Sequence, residues 1–154
     1  MILFTSMKKT GFLQLVSLAA ALFLALPTTA QNESVVTLSG NAYITSGHTA
    51  FIDEEQSAVR NWNDKKTVIS FYFRTEKSGD MNIALQAKGN SKIEVSLLGK
   101  KKKITLESDE LSRIELGTYK VENPGYVKMD IRGLKINQGA DFGSIASVTV
   151  GGDV

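Results

Sequence analysis

Thr67 to Lys88 reads T-V-I-S-F-Y-F-R-T, then E-K-S-G-D, then M-N-I-A-L-Q-A-K, and this stretch decides the fold class. In the first run Ile69, Phe71 and Phe73 alternate with Val68, Ser70, Tyr72 and Arg74. In the second, Met81, Ile83, Leu85 and Ala87 share one side, and Asn82, Ala84, Gln86 and Lys88 share the other. A period of two sends successive side chains to opposite faces of an extended chain, so each run is a strand with one buried face. With Lys77-Ser78-Gly79-Asp80 between them, the two runs are expected to pair as a β-hairpin.

The same grammar continues downstream. Ile93, Val95 and Leu97 alternate with Glu94, Ser96 and Leu98. After Gly99-Lys100, Ile104 and Leu106 alternate with Lys103, Thr105 and Glu107, giving a second hairpin with a lysine-rich tip. Ser108 to Leu111 reads as a loop or a single helical turn. Ile114 and Leu116 open a strand that carries on past Gly117 through Tyr119 and Val121. Asn123-Pro124-Gly125 is a strong turn, because proline presets φ and glycine accepts positive φ. Val127, Met129 and Ile131 then alternate with Tyr126, Lys128 and Asp130. Gly133 to Gly143 is irregular, and Ser144 to Val150 forms a last strand with Ala146, Val148 and Val150 on one face.

Upstream, Val35 to Leu38, Ala42 to Thr45 and His48 to Ile52 are short extended runs. Asp53 to Lys66, 14 residues that include the only tryptophan, has neither a period of two nor a helical stripe. Loops of this length in compact domains are often functional. About eight to ten short strands at regular spacing, with no amphipathic helix of useful length, predict an all-β protein. The expected architecture is an antiparallel two-sheet β-sandwich, jelly-roll-like.

Residues 1 to 30 are set apart from this pattern. Lys8 and Lys9 precede an apolar stretch from Gly11 to Leu26, and Thr28-Thr29-Ala30 offers small residues for cleavage before Gln31. That is the layout of a secretory signal peptide, too short for a membrane span. Met7 is an equally natural start. No cysteine follows the apolar stretch, which excludes a cysteine-linked lipid anchor, and a retained N-terminal anchor is the alternative. The expected product is a single domain over residues 31 to 154, secreted or periplasmic, without a stable membrane anchor. Without Lys8 and Lys9 it carries 16 basic and 16 acidic residues, so its overall charge gives no support for nucleic-acid binding. With no cysteines, an exported domain must rely on its core.

The sequence offers few groups for chemistry. His48 is the only histidine, so multi-histidine metal sites are out, and no serine sits in a G-x-S-x-G context. Asp53, Glu54, Glu55, Asp64 and Asp141 are available carboxylates, but their spacing singles out no glycosidase pair. No catalytic residues and no cofactor are expected. Trp62, in Asn61-Trp62-Asn63-Asp64, has the chemistry of a sugar site: an indole face stacks on sugar C–H groups while neighbouring amides and carboxylates bond hydroxyls. The alternative is that Trp62 plugs one end of the sandwich. An exposed indole beside Asn61 or Asp64 would favour the first reading, and a ring buried under Phe51 or Phe142 the second. Tyr43 beside Asn41 is a candidate second platform, or a plain edge-strand tyrosine. Tyr72 and Arg74 either line a binding face or form an exposed cross-strand pair. Phe142, with Asp141, completes the candidate set if its irregular stretch neighbours the Trp62 loop. Lys100 to Lys103 either attracts an anionic polysaccharide or a membrane surface, or protects a sheet edge as a solvated tip, the commoner use.

The order of signals from Val68 onward is similar to that of jelly-roll carbohydrate-binding modules attached to secreted glycoside hydrolases. An aromatic strand leads through a glycine turn to an apolar strand, Phe71 to Leu85. An I-x-V-x-L strand with a short turn follows, Ile93 to Lys100, and a last strand ends in V-x-V, Val148 to Val150. G-N-A-Y-I (Gly40 to Ile44), N-W (Asn61-Trp62), Y-F-R (Tyr72 to Arg74) and P-G-Y-V-K-M-D-I-R-G (Pro124 to Gly133) resemble a family of secreted bacterial domains of unknown function, the 5077-type domain. That resemblance implies fold and secretion, and glycan binding by analogy. Many such modules hold calcium with acidic residues on an early strand and an aspartate on the last. Here Val35 to Leu38 lacks E-x-E and Ala146 stands at the late position, so no metal is expected. The expected function is a secreted non-catalytic carbohydrate-binding-like module that contacts a polysaccharide or oligosaccharide through the Trp62 loop. The alternative is a structural or protein–protein interaction domain partnering a separate extracellular enzyme.

Overall fold

A computed structural model describes residues 32–154, and the expected signal peptide lies outside them. Nine strands follow in order: β1 (Ser34–Thr37), β2 (Ala42–Ser46), β3 (Phe51–Asp53), β4 (Ala58–Arg60), β5 (Val68–Thr75), β6 (Gly79–Leu97), β7 (Lys100–Val121), β8 (Gly125–Ile136) and β9 (Ser144–Gly152). All pairings are antiparallel. The described residues contain no helix long and apolar enough to cross a membrane.

β6 and β7 are long because each turns a corner and serves two sheets. The early half of β6 pairs with β9 and with the late half of β7. Its late half pairs with β8 and with the early half of β7. The four-stranded layer is thus β1-β9-β6-β7, and the five-stranded layer is β2-β5-β8-β6-β7. The corner is a register break: Ala87 pairs with Ser112 but Gly89 with Ser108, which leaves Asp109 to Leu111 as a bulge. Bulges bend strands, so the expected loop at Ser108 to Leu111 is instead a kinked strand. The corner also needs glycine. A Cβ on Gly89 would lie 2.6 Å from the Phe142 carbonyl oxygen, and one on Gly143 would lie 2.0 Å from that of Lys88.

The expected pairing of Val68–Thr75 with Met81–Lys88 does not form. β5 pairs with β2 and β8, and the early half of β6 lies in the other layer. Ile69, Phe71, Ile83 and Leu85 are nevertheless all fully buried in one core. The alternation was right for each run, but the two apolar faces meet across the interior rather than side by side. The second expected hairpin does form, with Leu97 paired to Lys100 and Leu98-Gly99 as its two-residue loop. Both loop residues have positive φ, 46° and 74°, as a type I′ turn requires. On β9 a bulge opposite Gln86 and Ala87 shifts the parity, so that Ile145, not Ala146, enters the core with Val148.

Candidate functional site

Trp62 is fully buried, and its ring lies 5.4 Å from that of Phe142, itself buried. The Phe142 amide donates to the Trp62 carbonyl at 2.8 Å, so the two irregular stretches do meet. The Phe142 ring in turn covers Gly133, where a Cβ would come within 2.4 Å of it. These aromatics plug one end of the sandwich. Neither presents a face to solvent, which corrects the expectation that they form a stacking platform. The stretch expected as one long loop is partly ordered as strand, because β4 pairs with β3 and the Val59 amide donates to the buried Ser144 hydroxyl at 3.1 Å.

The polar residues of this loop divide. Asp64 spends its carboxylate on a turn, accepting from the Lys66 amide at 2.9 Å. Asn61, exposed and at a φ of 52°, lines an open cleft of about 410 Å³ with Arg60, Lys88, Asp109 and Asp141. No aromatic ring lines this cleft.

Asn41 and Tyr43 lie elsewhere, at the edge of the five-stranded layer and on its outer face. The Asn41 carbonyl accepts from the Tyr72 amide at 2.8 Å, and the rings of Tyr43 and Tyr72 meet edge to face at 5.9 Å. Tyr43 is 53% exposed, and Tyr126 on the same face is 84% exposed. Strand register sets the neighbours. One row across all five strands is Tyr43, Ser70, Asp130, Ser96 and Lys101, and the next runs Ser46, Val68, Arg132, Glu94 and Lys103.

These rows are hydrogen-bonded across the strands. The Ser70 hydroxyl donates to Asp130 at 2.5 Å and bonds the Thr45 hydroxyl at 2.7 Å, while Lys128 donates to the other Asp130 oxygen at 3.0 Å. Glu94, only 6% exposed, accepts from Arg132 at 2.5 and 3.0 Å, with the Lys101 ammonium 3.8 Å away. The hydrogen bonds from Arg132, helped by the charges of Arg132, Lys101 and Lys103, hold the Glu94 carboxyl below the usual glutamate range against the opposing pull of burial. The bond to Asp130 raises the Lys128 ammonium above its ordinary value.

The lysine run is divided by the same alternation. Lys101 and Lys103 point onto this outer face, beside Glu94. Lys102 reaches the other way and donates to the Leu116 carbonyl at 2.8 Å, tying the two halves of β7 together. Lys100 sits 6.0 Å from the ring centroid of Tyr119, whose hydroxyl pKa is raised by burial.

The register that gathers Glu94, Asp130 and Arg132 was invisible in the sequence. Each was legible only as an outward residue of its own strand, and nothing local says which strands lie side by side.

The fold defined by these layers is that of jelly-roll carbohydrate-binding modules. The domain called CBM36-1 of a multidomain xylanase from the hindgut metagenome of Trinervitermes trinervoides superposes with a TM-score of 0.58 at 11% identity, covering 80% of this chain and 99% of that one. A family 35 carbohydrate-binding module from Clostridium thermocellum gives 0.57 at 10% identity, with 77% and 97% covered. A Podospora anserina GH26-CBM35 β-(1,4)-mannanase gives 0.58 at 11% identity over 79% of this chain, which spans only 28% of that enzyme. At such identities the likeness is one of fold. No curated protein sequence matches the chain. Residues 36–154 match the model of DUF5077, a domain of unknown function, and the chain belongs to that family.

Proposed function

We propose that this domain is a non-catalytic glycan-binding module that works from the outer face of its five-stranded layer. The observation that carries the reading is the edge-to-face pair of exposed Tyr43 and half-buried Tyr72 beside a row of hydrogen-bonding side chains. Tyrosine rings stack on sugar C–H faces, while Ser96 and Asp130 in the Tyr43 row and Arg132 in the next row offer groups to bond hydroxyls. The likeness of the fold to carbohydrate-binding modules supports the same reading. The Trp62 loop then acts as the buried anchor of one end, with Asn61 and Arg60 forming a second polar rim.

The two carboxylates in these rows are poorly suited to catalysis. Asp130 is held by Ser70 and Lys128, and Glu94 by Arg132. A general acid needs a raised pKa, and that of Glu94 is pushed the other way. A second reading, a structural or protein-interaction domain, draws on the burial of Trp62.

A glycan array with wild type, Tyr43→Ala, Tyr72→Ala and Trp62→Phe separates them. The glycan reading expects wild type to bind, either tyrosine variant to bind roughly tenfold more weakly (about 1.4 kcal/mol), and Trp62→Phe to bind as wild type does. Folded wild type that binds no glycan would leave the interaction domain standing.

A further inference from the structure

The outer face of the five-stranded layer does not share the even charge balance of residues 31 to 154. Lys128 lies opposite Tyr72, and Arg74 opposite Tyr126. Lys101 ends the row that begins at Tyr43, and Lys103 ends the row that contains Arg132. Further along, Lys92 and Lys135 are direct cross-strand partners, and both are exposed. Against these cations the face holds Asp130 and Glu94, which already have cationic partners on it, and the exposed Glu107 one row beyond Lys92.

Two like charges directly opposite one another on neighbouring strands destabilise a sheet. The Lys92–Lys135 pair is therefore a cost to the isolated domain that a polyanion lying along the face would offset. The spacing suits a chain molecule. Strands are about 4.8 Å apart, so the cations spread from β5 to β7 span roughly 14 Å across the sheet. The exposed tyrosines flank this path rather than lying on a separate surface.

From these features we infer that the face takes an acidic polysaccharide, with carboxylate or sulfate groups held by Lys92, Lys101, Lys103, Lys128 and Lys135 while the tyrosines stack on its rings. This rests on the glycan reading above and narrows it to a charge class. A nucleic acid is the competing polyanion. It is disfavoured because residues 31 to 154 carry 16 basic and 16 acidic residues, without the overall basic charge of a nucleic-acid-binding domain.

The test compares matched polymers on the whole domain: polygalacturonate against fully methyl-esterified pectin, dextran sulfate against dextran, and a single-stranded oligonucleotide. Affinity is measured at about 50 and 300 mM salt, since screening weakens contacts between exposed charges. Wild type should bind one acidic polymer at least tenfold more tightly than its neutral counterpart. Binding should weaken severalfold at the higher salt. The carboxylated and sulfated arms report which anion is preferred. The double variant Lys92→Gln/Lys135→Gln should lose severalfold in affinity yet melt at the same or a higher temperature, because a like-charge pair has gone. Tyr43→Ala should also weaken binding, which simple ion exchange does not predict. Equal, tyrosine-dependent binding of neutral and acidic polymers would overturn the charge inference and leave the glycan reading intact. Oligonucleotide binding as tight as that of the acidic glycan would also overturn it. No binding to any polymer would remove both.

Discussion

Trp62 has the most to lose by substitution. Its side chain is fully buried against Phe142, so Trp62→Ala should cost about 3–5 kcal/mol of stability, the range for truncating a large core aromatic. Its Nε1 is buried and donates to no protein acceptor. Trp62→Phe removes that unpaired N–H and keeps most of the ring volume, so it should cost well under half as much. Gly133→Ala tests the same plug from beneath. Its new methyl would collide with the Phe142 ring, and overpacking of this kind costs about 1–3 kcal/mol. Chemical denaturation of the three variants checks the set. A Trp62→Ala protein as stable as wild type would mean the indole is not the anchor described here.

Among the elements, the network that joins β8, β6 and β7 makes a prediction about acid. Glu94 has its pKa lowered in the folded protein below its ordinary value of 4.5. A depressed carboxyl favours the folded state fully above the unfolded value, and the contribution fades as pH falls through the folded one. Stability should therefore fall as pH drops below about 4.5, and Glu94→Gln should flatten that part of the profile. At neutral pH the variant should be less stable, because Arg132, Lys101 and Lys103 would face one another without the intervening carboxylate. Urea unfolding of both proteins from pH 3 to 7 measures this, and identical acid limbs would show that Glu94 contributes nothing to it.

At the scale of the whole molecule, the decisive feature is that β6 and β7 each belong to both layers. Neither layer can come apart without breaking strands that the other needs. Unfolding should accordingly be a single cooperative transition. Fluorescence of Trp62, which reports the plug, and far-UV circular dichroism, which reports the sheets, should give the same midpoint. Separate midpoints would mean that the two layers, or the plug, melt independently.

What the sequence determined by itself was the facing of each strand. Ile69, Phe71, Ile83, Leu85, Ile93, Val95, Met129 and Ile131 were readable as inward from a period of two, and all are buried. That period could not tell β5 and β6 side by side from β5 and β6 face to face, because both arrangements hide the same side of each strand. It also said nothing about Trp62, which sits where no period runs, so its burial depended on Phe142 arriving from 80 residues away. Only the tertiary structure placed Tyr43 and Tyr72 in contact and laid Lys92 beside Lys135, because strand neighbours are chosen by how two sheets close over one core.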